Sequence, residues 1–365
     1  NNKTTWWPKS KPFNDYLARI SYILQETQFA ADVLYYYGDK VPNFVVPKNT
    51  RFAVGSGYDY EVVNTEILLR DVKALDGLVT MPYGTQFKVL ALGDIETLDS
   101  ALYQKLRLLA ESGVVITGKK PKASQANERL ISELWDTGLI KTASALELLR
   151  SQGVRPDFDY PEKGSHRLDY QHEDKPVLEY THYGDGGLDF YFVRNTRDTR
   201  ISRLCNFRQT NKVPEIWDPL SGKVFPLSIY HDSNGTTAIP LTFDPHGSYF
   251  VVFRKNHDQE HYTGIKSSGH PPMLDHTAEG LQFLQAGNYA LLKDGKETTF
   301  TQSVDSLILE GEWEVSFDPE WGGPRSVTFP ALSSWTSSDN EGIKYYSGAA
   351  TYTKTFPFNK RDGDV

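Results

Sequence analysis

Five carboxylates in aromatic, turn-rich stretches are the first residues to weigh for chemistry: Asp39, Asp59, Glu61, Asp94 and Glu96. Two carboxyl groups flanking a glycosidic bond, one acting as acid and the other as base or nucleophile, are what sugar hydrolysis requires. No spacing singles out a pair here. Asp59, set between Tyr58 and Tyr60, has the most ligand-like surroundings. Such groups also serve as solvated or capping carboxylates. Flat aromatic rings stack on pyranose faces, so Tyr58 and Asp59, with the tandem Trp6 and Trp7, are the candidate substrate-binding residues. The tryptophans have a second reading, as anchors that pin the first helix to its neighbour.

Other chemistries are poorly supported. Gly55-Ser56-Gly57 lacks the third glycine and following helix of a nucleotide cradle, and it is flanked wrongly for a serine nucleophile elbow. The single cysteine, Cys205, lies in a strand-rich region, away from any strand-to-helix elbow that would activate it; alone, it forms no intramolecular disulfide or cysteine-only metal cluster. His257 and His261 are four apart in a polar stretch that is not a convincing helix, and His270 and His276 follow, so surface loops account for them better than a metal site does. Asp232, Asn234 and Asp244 offer oxygen donors, but turns use the same residue types. No catalytic residue, metal ligand or cofactor is assigned within the chain.

Those residues must be positioned by a chain of 365 residues, enough for two or three domains. Its 39% hydrophobic and 24% charged residues are ordinary for a folded protein. A net charge of −8 without a Lys/Arg stripe argues against nucleic acid, and the apolar runs are too short to span a membrane. The 13% aromatic content suits either sugar binding or β-sandwich cores.

Phe13, Tyr16, Leu17, Ile20 and Leu24 share a face, which predicts a helix beginning near Pro12 with Ser10 or Lys11 as cap. Residues 29–160 then alternate strand and helix: strands at 31–38, 72–81, 86–92 and 114–118, and helices at 62–70, after Asp99, at 130–135 and at 144–152. Short links between buried strands predict a doubly wound parallel sheet. From Val177 to Phe253, short strands separated by Gly/Asn/Asp/Pro clusters predict a β-sandwich. Residues 256–278 read as a polar linker or long loop, and a further all-β unit begins by Leu307, with a strand from Ala349 to Phe358.

Several stretches resemble the large bacterial α-L-rhamnosidases of glycoside hydrolase family 106. They are Thr5-Trp6-Trp7-Pro8, Phe13 to Arg19, Asp32-Val33-Leu34-Tyr35-Tyr36-Tyr37-Gly38, Gly57 to Asn64, and Pro214-Glu215-Ile216-Trp217-Asp218-Pro219-Leu220-Ser221-Gly222. Gly311 to Phe317, with Trp335 and Tyr345 to Tyr352, resembles the start of a sugar-binding jelly roll. β-Galactosidases with a barrel and a glutaminase-like domain share the first helix. The resemblance implies a fold that is multidomain α/β plus all-β. Residues 1–28 would be the last helix of an upstream (β/α) barrel, 29–160 a flavodoxin/glutaminase-like α/β domain and 161–256 a β-sandwich. Residues 257–306 would be a linker with connecting strands, and 307–365 an incomplete galactose-binding-like jelly roll. It also implies an inverting exo-glycosidase, secreted or periplasmic, whose barrel carries two glutamates and a calcium ion and whose partner is a rhamnose-containing glycan. None of those glutamates matches a residue here. The expectation is therefore an accessory part that is inert alone, lacks most of the barrel and exposes its first helix unless that helix folds onto the α/β domain. The alternatives are a non-catalytic carbohydrate-binding or assembly protein and a β-galactosidase-like hydrolase.

Overall fold

Proline after a short polar lead starts the chain's first helix, α1 (Lys11–Glu26), which runs on directly from a 3₁₀ turn at Trp7–Lys9. Ser10 does not cap it; its hydroxyl donates to the Trp7 carbonyl at 2.7 Å. The computed structural model describes residues 6–38, 54–55, 57–93, 95, 98–122, 127–160, 177–255, 260–267, 272–277, 280–303 and 307–357. Among these, no helix is long and apolar enough to cross a membrane. Strands dominate, in several sheets.

After β1 (Gln28–Ala30), the α/β alternation builds β2 (Val33–Tyr36), β3 (Tyr60–Val63) and α2 (Thr65–Arg70). A strand occupies Tyr60–Val63, where the sequence suggests the end of a loop and the start of a helix, and the helix starts only where the Asn64 side chain accepts from the Ile67 amide at 2.9 Å. The expected strand at 72–81 is instead a hairpin, β4 (Lys73–Leu75) and β5 (Leu78–Thr80). Asp76 and Gly77 between them both adopt positive φ, at 51° and 75°, the geometry a tight two-residue turn demands. β6 (Gln86–Phe87) completes that small antiparallel sheet. Next come β7 (Val89–Leu92), α3 (Ser100–Glu111), β8 (Val115–Thr117), α4 (Glu128–Trp135), β9 (Ile140–Lys141) and α5 (Ala145–Ser151). Asp99 caps α3, and Ser144 with Glu147 forms a reciprocal capping box on α5. The five parallel strands lie in the order β3-β2-β7-β8-β9. β7 is buried throughout, as a strand covered on both faces should be.

The all-β part follows: β10 (Phe158–Asp159), β11 (Leu178–Gly184), β12 (Leu188–Asn195), β13 (Ile201–Phe207), β14 (Lys212–Trp217), β15 (Val224–Pro226), β16 (His231–Ser233), β17 (Thr236–Phe243) and β18 (Ser248–Lys255). One antiparallel sheet runs β1-β11-β12-β18-β14-β15 and the other β10-β13-β17-β16. Tyr191, Val193, Val251 and Phe253 from the first pack with Phe207, Ile239, Leu241 and Phe243 from the second. On the far face of the six-stranded sheet, Phe190, Phe250 and Val252 take Ile20, Ile23 and Leu24 of α1. Tyr16 bonds Ser248 at 2.8 Å, and Arg19 donates to the carbonyls of Pro219 and Leu220 at 2.7 and 3.0 Å. The first helix thus covers the six-stranded sheet, not the α/β layer, and leaves Phe13 and Leu17 exposed.

The stretch expected to be a polar linker carries strands: β19 (Gly264–Ser267) and β20 (Leu274–Thr277), followed by β21 (Gly280–Phe283), β22 (Gly287–Lys293) and β23 (Lys296–Gln302). β19-β22-β23 is a three-stranded sheet and β20-β21 a hairpin. The chain divides into two compact units, Asn1–Ser303 and Val304–Val365. In the second, β24 (Trp313–Ser316) lies between β25 (Val327–Phe329) and β26 (Thr351–Thr353) over a core of Val315, Phe317, Phe329 and Ile343. The last strand is shorter than the span Ala349 to Phe358 suggests.

Gly57 marks the junction between the α/β layer and the sandwich. Its φ is +75°, and a Cβ there would sit 2.3 Å from the Phe158 carbonyl oxygen. Its own carbonyl accepts from the Asp157 amide at 2.7 Å and the Tyr180 hydroxyl at 2.9 Å. We expect Gly57→Ala to lose more than about 1 kcal/mol of stability, since both the backbone conformation and the close approach exclude a side chain. Urea unfolding measures this, and an unchanged midpoint would contradict the close packing.

Candidate functional site: a buried ion-pair network

Polar residues on the inward phase of β11 and β12 create a charged centre inside unit one. Residues 178, 180 and 182 of β11 alternate inward, as do 189, 191 and 193 of β12, so His182 lies opposite Tyr191. The two rings stack at 3.9 Å. His182 Nδ1 meets Asp157 Oδ2 at 2.9 Å and Nε2 meets Asp189 Oδ1 at 3.1 Å. The Tyr191 hydroxyl donates to Asp157 Oδ1 at 2.9 Å and accepts from the Gln209 amide at 3.1 Å. Lys212 pairs with Asp189 and donates to Gln209 Oε1 at 2.8 Å.

Arg208 carries this network into the parallel sheet. It donates to both Asp32 carboxylate oxygens, at 2.9 and 3.1 Å, and lies 3.3 Å from Asp157 Oδ1. Its other terminal nitrogen donates to the Arg155 carbonyl at 2.6 Å. Lys88 holds Asp32 from the other side at 2.7 Å. Asp32 and Asp157 are almost wholly buried. Buried charges persist only when paired and hydrogen-bonded; three carboxylates here face Lys88, Arg208, Lys212 and the His182 ring.

The titration directions follow. Burial pushes His182 down, but Asp157 and Asp189 outweigh it and raise its pKa to about 9, so it is an imidazolium at neutral pH. Burial raises Asp157 and Asp189, yet the imidazolium, with Arg208 at one and Lys212 at the other, leaves both below the usual carboxylate range. Burial and then Asp157 push the Tyr180 and Tyr191 hydroxyls well above their ordinary value, so both remain donors. A general acid needs a carboxyl kept neutral; Asp157 and Asp189 are held ionised. The arrangement fixes two layers together, and neither carboxyl group is kept neutral for proton donation.

The residues singled out by sequence fall elsewhere. Trp6 and Trp7 are exposed, with ring centroids 6.3 Å apart. Tyr58 is buried and donates to the Val154 carbonyl at 2.9 Å. Asp59 is buried too; its Oδ1 accepts from the Tyr60 amide at 2.8 Å, and its carbonyl accepts from the Asp32 amide. Exposed Glu61 accepts from the Val62 amide. Asp39, Asp94, Glu96, His257 and His270 lie outside the described residues. His261 stacks on Tyr230 at 3.8 Å. Asp232 and Asp244 hold turns and Arg200, and Asn234 takes the positive φ of a turn. Buried Cys205 has its thiol pushed up by desolvation, the opposite of an activated nucleophile. Among the described residues, no three His, Cys, Asp or Glu side chains converge on a possible metal site. Sequence reasoning missed the network, although a His and an Asp in phase with buried neighbours were a usable signal.

Two outcomes follow. Arg208→Met leaves Asp32 and Asp157 short of a buried counter-charge and should cost about 3–5 kcal/mol, read by urea unfolding; a loss below about 1 kcal/mol, the scale of an exposed pair, would remove the network from its structural role. A group whose folded pKa is raised contributes fully below its unfolded pKa, and that contribution fades as pH rises through the folded value. His182 should therefore lose stabilisation between about pH 6.5 and 9. His276, lowered to about 4 by burial, opposes folding as pH falls from 6.5 toward 4. Thermal melts should decline on both sides of near-neutral pH, with His182→Gln flattening the alkaline decline and His276→Leu the acid one. An alkaline decline unchanged in His182→Gln would exclude the imidazolium as its cause.

Known proteins resemble this chain over most of its length. A curated protein of Formosa agariphila, named "Putative beta-glucuronidase", is 30% identical over 267 residues, 70% of this chain and 22% of that protein. The solved rhamnosidase from Novosphingobium sp. PP1Y superposes with a TM-score of 0.72 at 25% identity, covering 98% of this chain and 32% of that one. The chain thus spans about a third or less of the length of these relatives. The model of the glycoside hydrolase family 106 α-L-rhamnosidases matches residues 1–231. On that match, with the rhamnosidase-like fold, the chain belongs to glycoside hydrolase family 106.

Proposed function

We propose that this chain is the accessory-domain part of an α-L-rhamnosidase that removes rhamnose from plant or microbial glycans with inversion. Its acid and base glutamates and its calcium ion would belong to a barrel outside residues 1–365. The observation that carries this reading is the family match over residues 1–231, more than half of the chain. The network adds to it, because Asp157 and Asp189 are held ionised by cations and are unsuited to donating a proton to a leaving group. No step is assigned to that ion within this chain.

The accessory assignments stand on topology. Taken in chain order, the parallel strands lie second, first, third, fourth, fifth across the sheet, the doubly wound order of flavodoxin-like folds. This favours a flavodoxin/glutaminase-like domain over 29–160, without a nucleotide because the phosphate-cradling glycines are missing. We assign 161–256 to the sandwich and 307–365 to the beginning of a jelly roll, with 257–306 connecting them. Trp6 and Trp7, exposed and adjacent, remain the candidate sugar-stacking residues, whereas Tyr58 and Asp59 would need a local opening to reach a ligand.

An aryl α-L-rhamnoside with calcium tests the reading. The chain alone should give no turnover, and the enzyme that contains it should release rhamnose with inverted anomeric configuration. Turnover by the chain alone, above a heat-killed control and lost on changing one of its own carboxylates, would refute the accessory role. The Formosa agariphila protein's name motivates a second reading, action on a β-glucuronide. Hydrolysis of an aryl β-glucuronide in preference to the rhamnoside would favour it. Equilibrium dialysis should find no micromolar binding of FMN or NAD; such binding would overturn the nucleotide-free assignment.

A further inference from the structure

We propose that the outward face of the β19-β22-β23 sheet, centred on Ala290, is a groove that binds a neutral saccharide. Cross-strand pairing sets Lys266 and Thr299 on either side of Ala290, and Asn288 opposite Thr301, all on one face. The flanking Lys266, Asn288, Thr299 and Thr301 are exposed, while Ala290 is 6% exposed. A small residue in the middle strand thus forms a recessed floor between longer polar neighbours. An open depression of about 450 Å³ lies over these residues, with Ser267, Tyr289 and Phe300 of the alternate phase also at its lining; that volume is within the roughly 300–1,000 Å³ of small-molecule sites.

The chemistry of the rim selects the ligand class. The Thr301 hydroxyl donates to Asn288 Oδ1 at 2.7 Å, which orients the Asn288 amide N–H group as a donor. Thr299 adds a hydroxyl that can both donate and accept, as sugar hydroxyls do. Lys266 is paired with Glu297 at 2.5 Å, so the rim does not present a free positive charge to an anion. The opposite face is held by packed rings, with Phe283 to Tyr289 at 4.6 Å and Phe283 to Phe300 at 4.9 Å. That packing makes the sheet a firm support, and preformed donors lose less on binding than mobile ones.

The proposal rests on the chain's serving an enzyme that acts on glycans. Saturation-transfer NMR on the 365-residue chain, with methyl α-L-rhamnoside, methyl β-D-galactoside and D-glucuronate as probes, tests it. At least one neutral glycoside should bind saturably at millimolar concentration. Asn288→Ala and Ala290→Leu should each weaken that binding about tenfold, near 1.4 kcal/mol, with thermal melts confirming that both variants fold. Tyr345→Ala, an exposed ring in the other unit, should leave it unchanged. Failure of both neutral glycosides to saturate, binding indifferent to the groove variants, loss in Tyr345→Ala, or preference for glucuronate would each overturn it. Rhamnoside hydrolysis by the enzyme containing this chain is read separately. Intact hydrolysis without groove binding refutes the groove alone, and groove binding without rhamnoside hydrolysis refutes the rhamnosidase reading alone.

Discussion

Pairing of Arg208 with Asp32 and Asp157 is the contact on which the arrangement of the first unit depends. Asp32 precedes β2. Its amide donates to the Asp59 carbonyl at the start of β3, and its own carbonyl accepts from Lys88 and Val89 at the start of β7. One residue thus fixes the entry of three neighbouring parallel strands while its side chain holds an arginine from the sandwich. Arg208 is set with equal care, since it follows β13 directly and its amide donates to the Asp157 carbonyl at 2.9 Å. The N-terminal edge of the parallel sheet is therefore consumed by the junction. The C-terminal edge, where open α/β sheets take ligands, lies at the opposite end of the same strands.

A second constraint follows from burying the six-stranded sheet on both faces. Its inner face packs on the smaller sheet, so the outer residues Phe190, Phe250 and Val252 need a cover, and α1 supplies it. The helix's stripe was written for a β-surface. Ile20, Ile23 and Leu24 reach the sheet, while Phe13 and Leu17, a turn or two earlier, remain exposed. Arg19 fastens the helix to the Pro219–Leu220 turn through backbone carbonyls, a fixed geometry that a planar guanidinium suits.

Local signals made much of this legible in the sequence. Asp99 and Ser144 announce helix starts through side chains three residues from their partners, and the strands from Leu178 to Phe253 are bounded by turn residues. Where the sequence misled, a local signal was outweighed by another. Asp76-Gly77 turns an apolar run into a hairpin, and the polar run after Lys255 hides β19 and β20, whose exposed faces carry the polarity. The phase of His182 and Asp189 hinted at a buried polar cluster, but its link to the parallel sheet was beyond such reading, because Asp32 and Arg208 are 176 residues apart and only the fold brings them together. Asp59 drew attention by its aromatic neighbours, yet those rings serve packing.

The same electrostatics decides where chemistry is possible. A carboxyl group that protonates a leaving oxygen must sit in an apolar site away from cations, so that it stays neutral. A carboxylate that bolts two layers together needs the reverse, a cation at hydrogen-bond distance and donors on its remaining lone pairs. Asp157 has His182, Arg208 and Tyr191; Asp189 has His182 and Lys212. Each bond that makes the junction firm moves its carboxylate further from acid catalysis. The interior charges therefore belong to assembly, and the proposed recognition of an uncharged polyol would fall to surface residues whose hydroxyls and amides are not consumed by ions. On the face around Ala290 the one ammonium is matched by a carboxylate, while Asn288, Thr299 and Thr301 keep polar groups toward water.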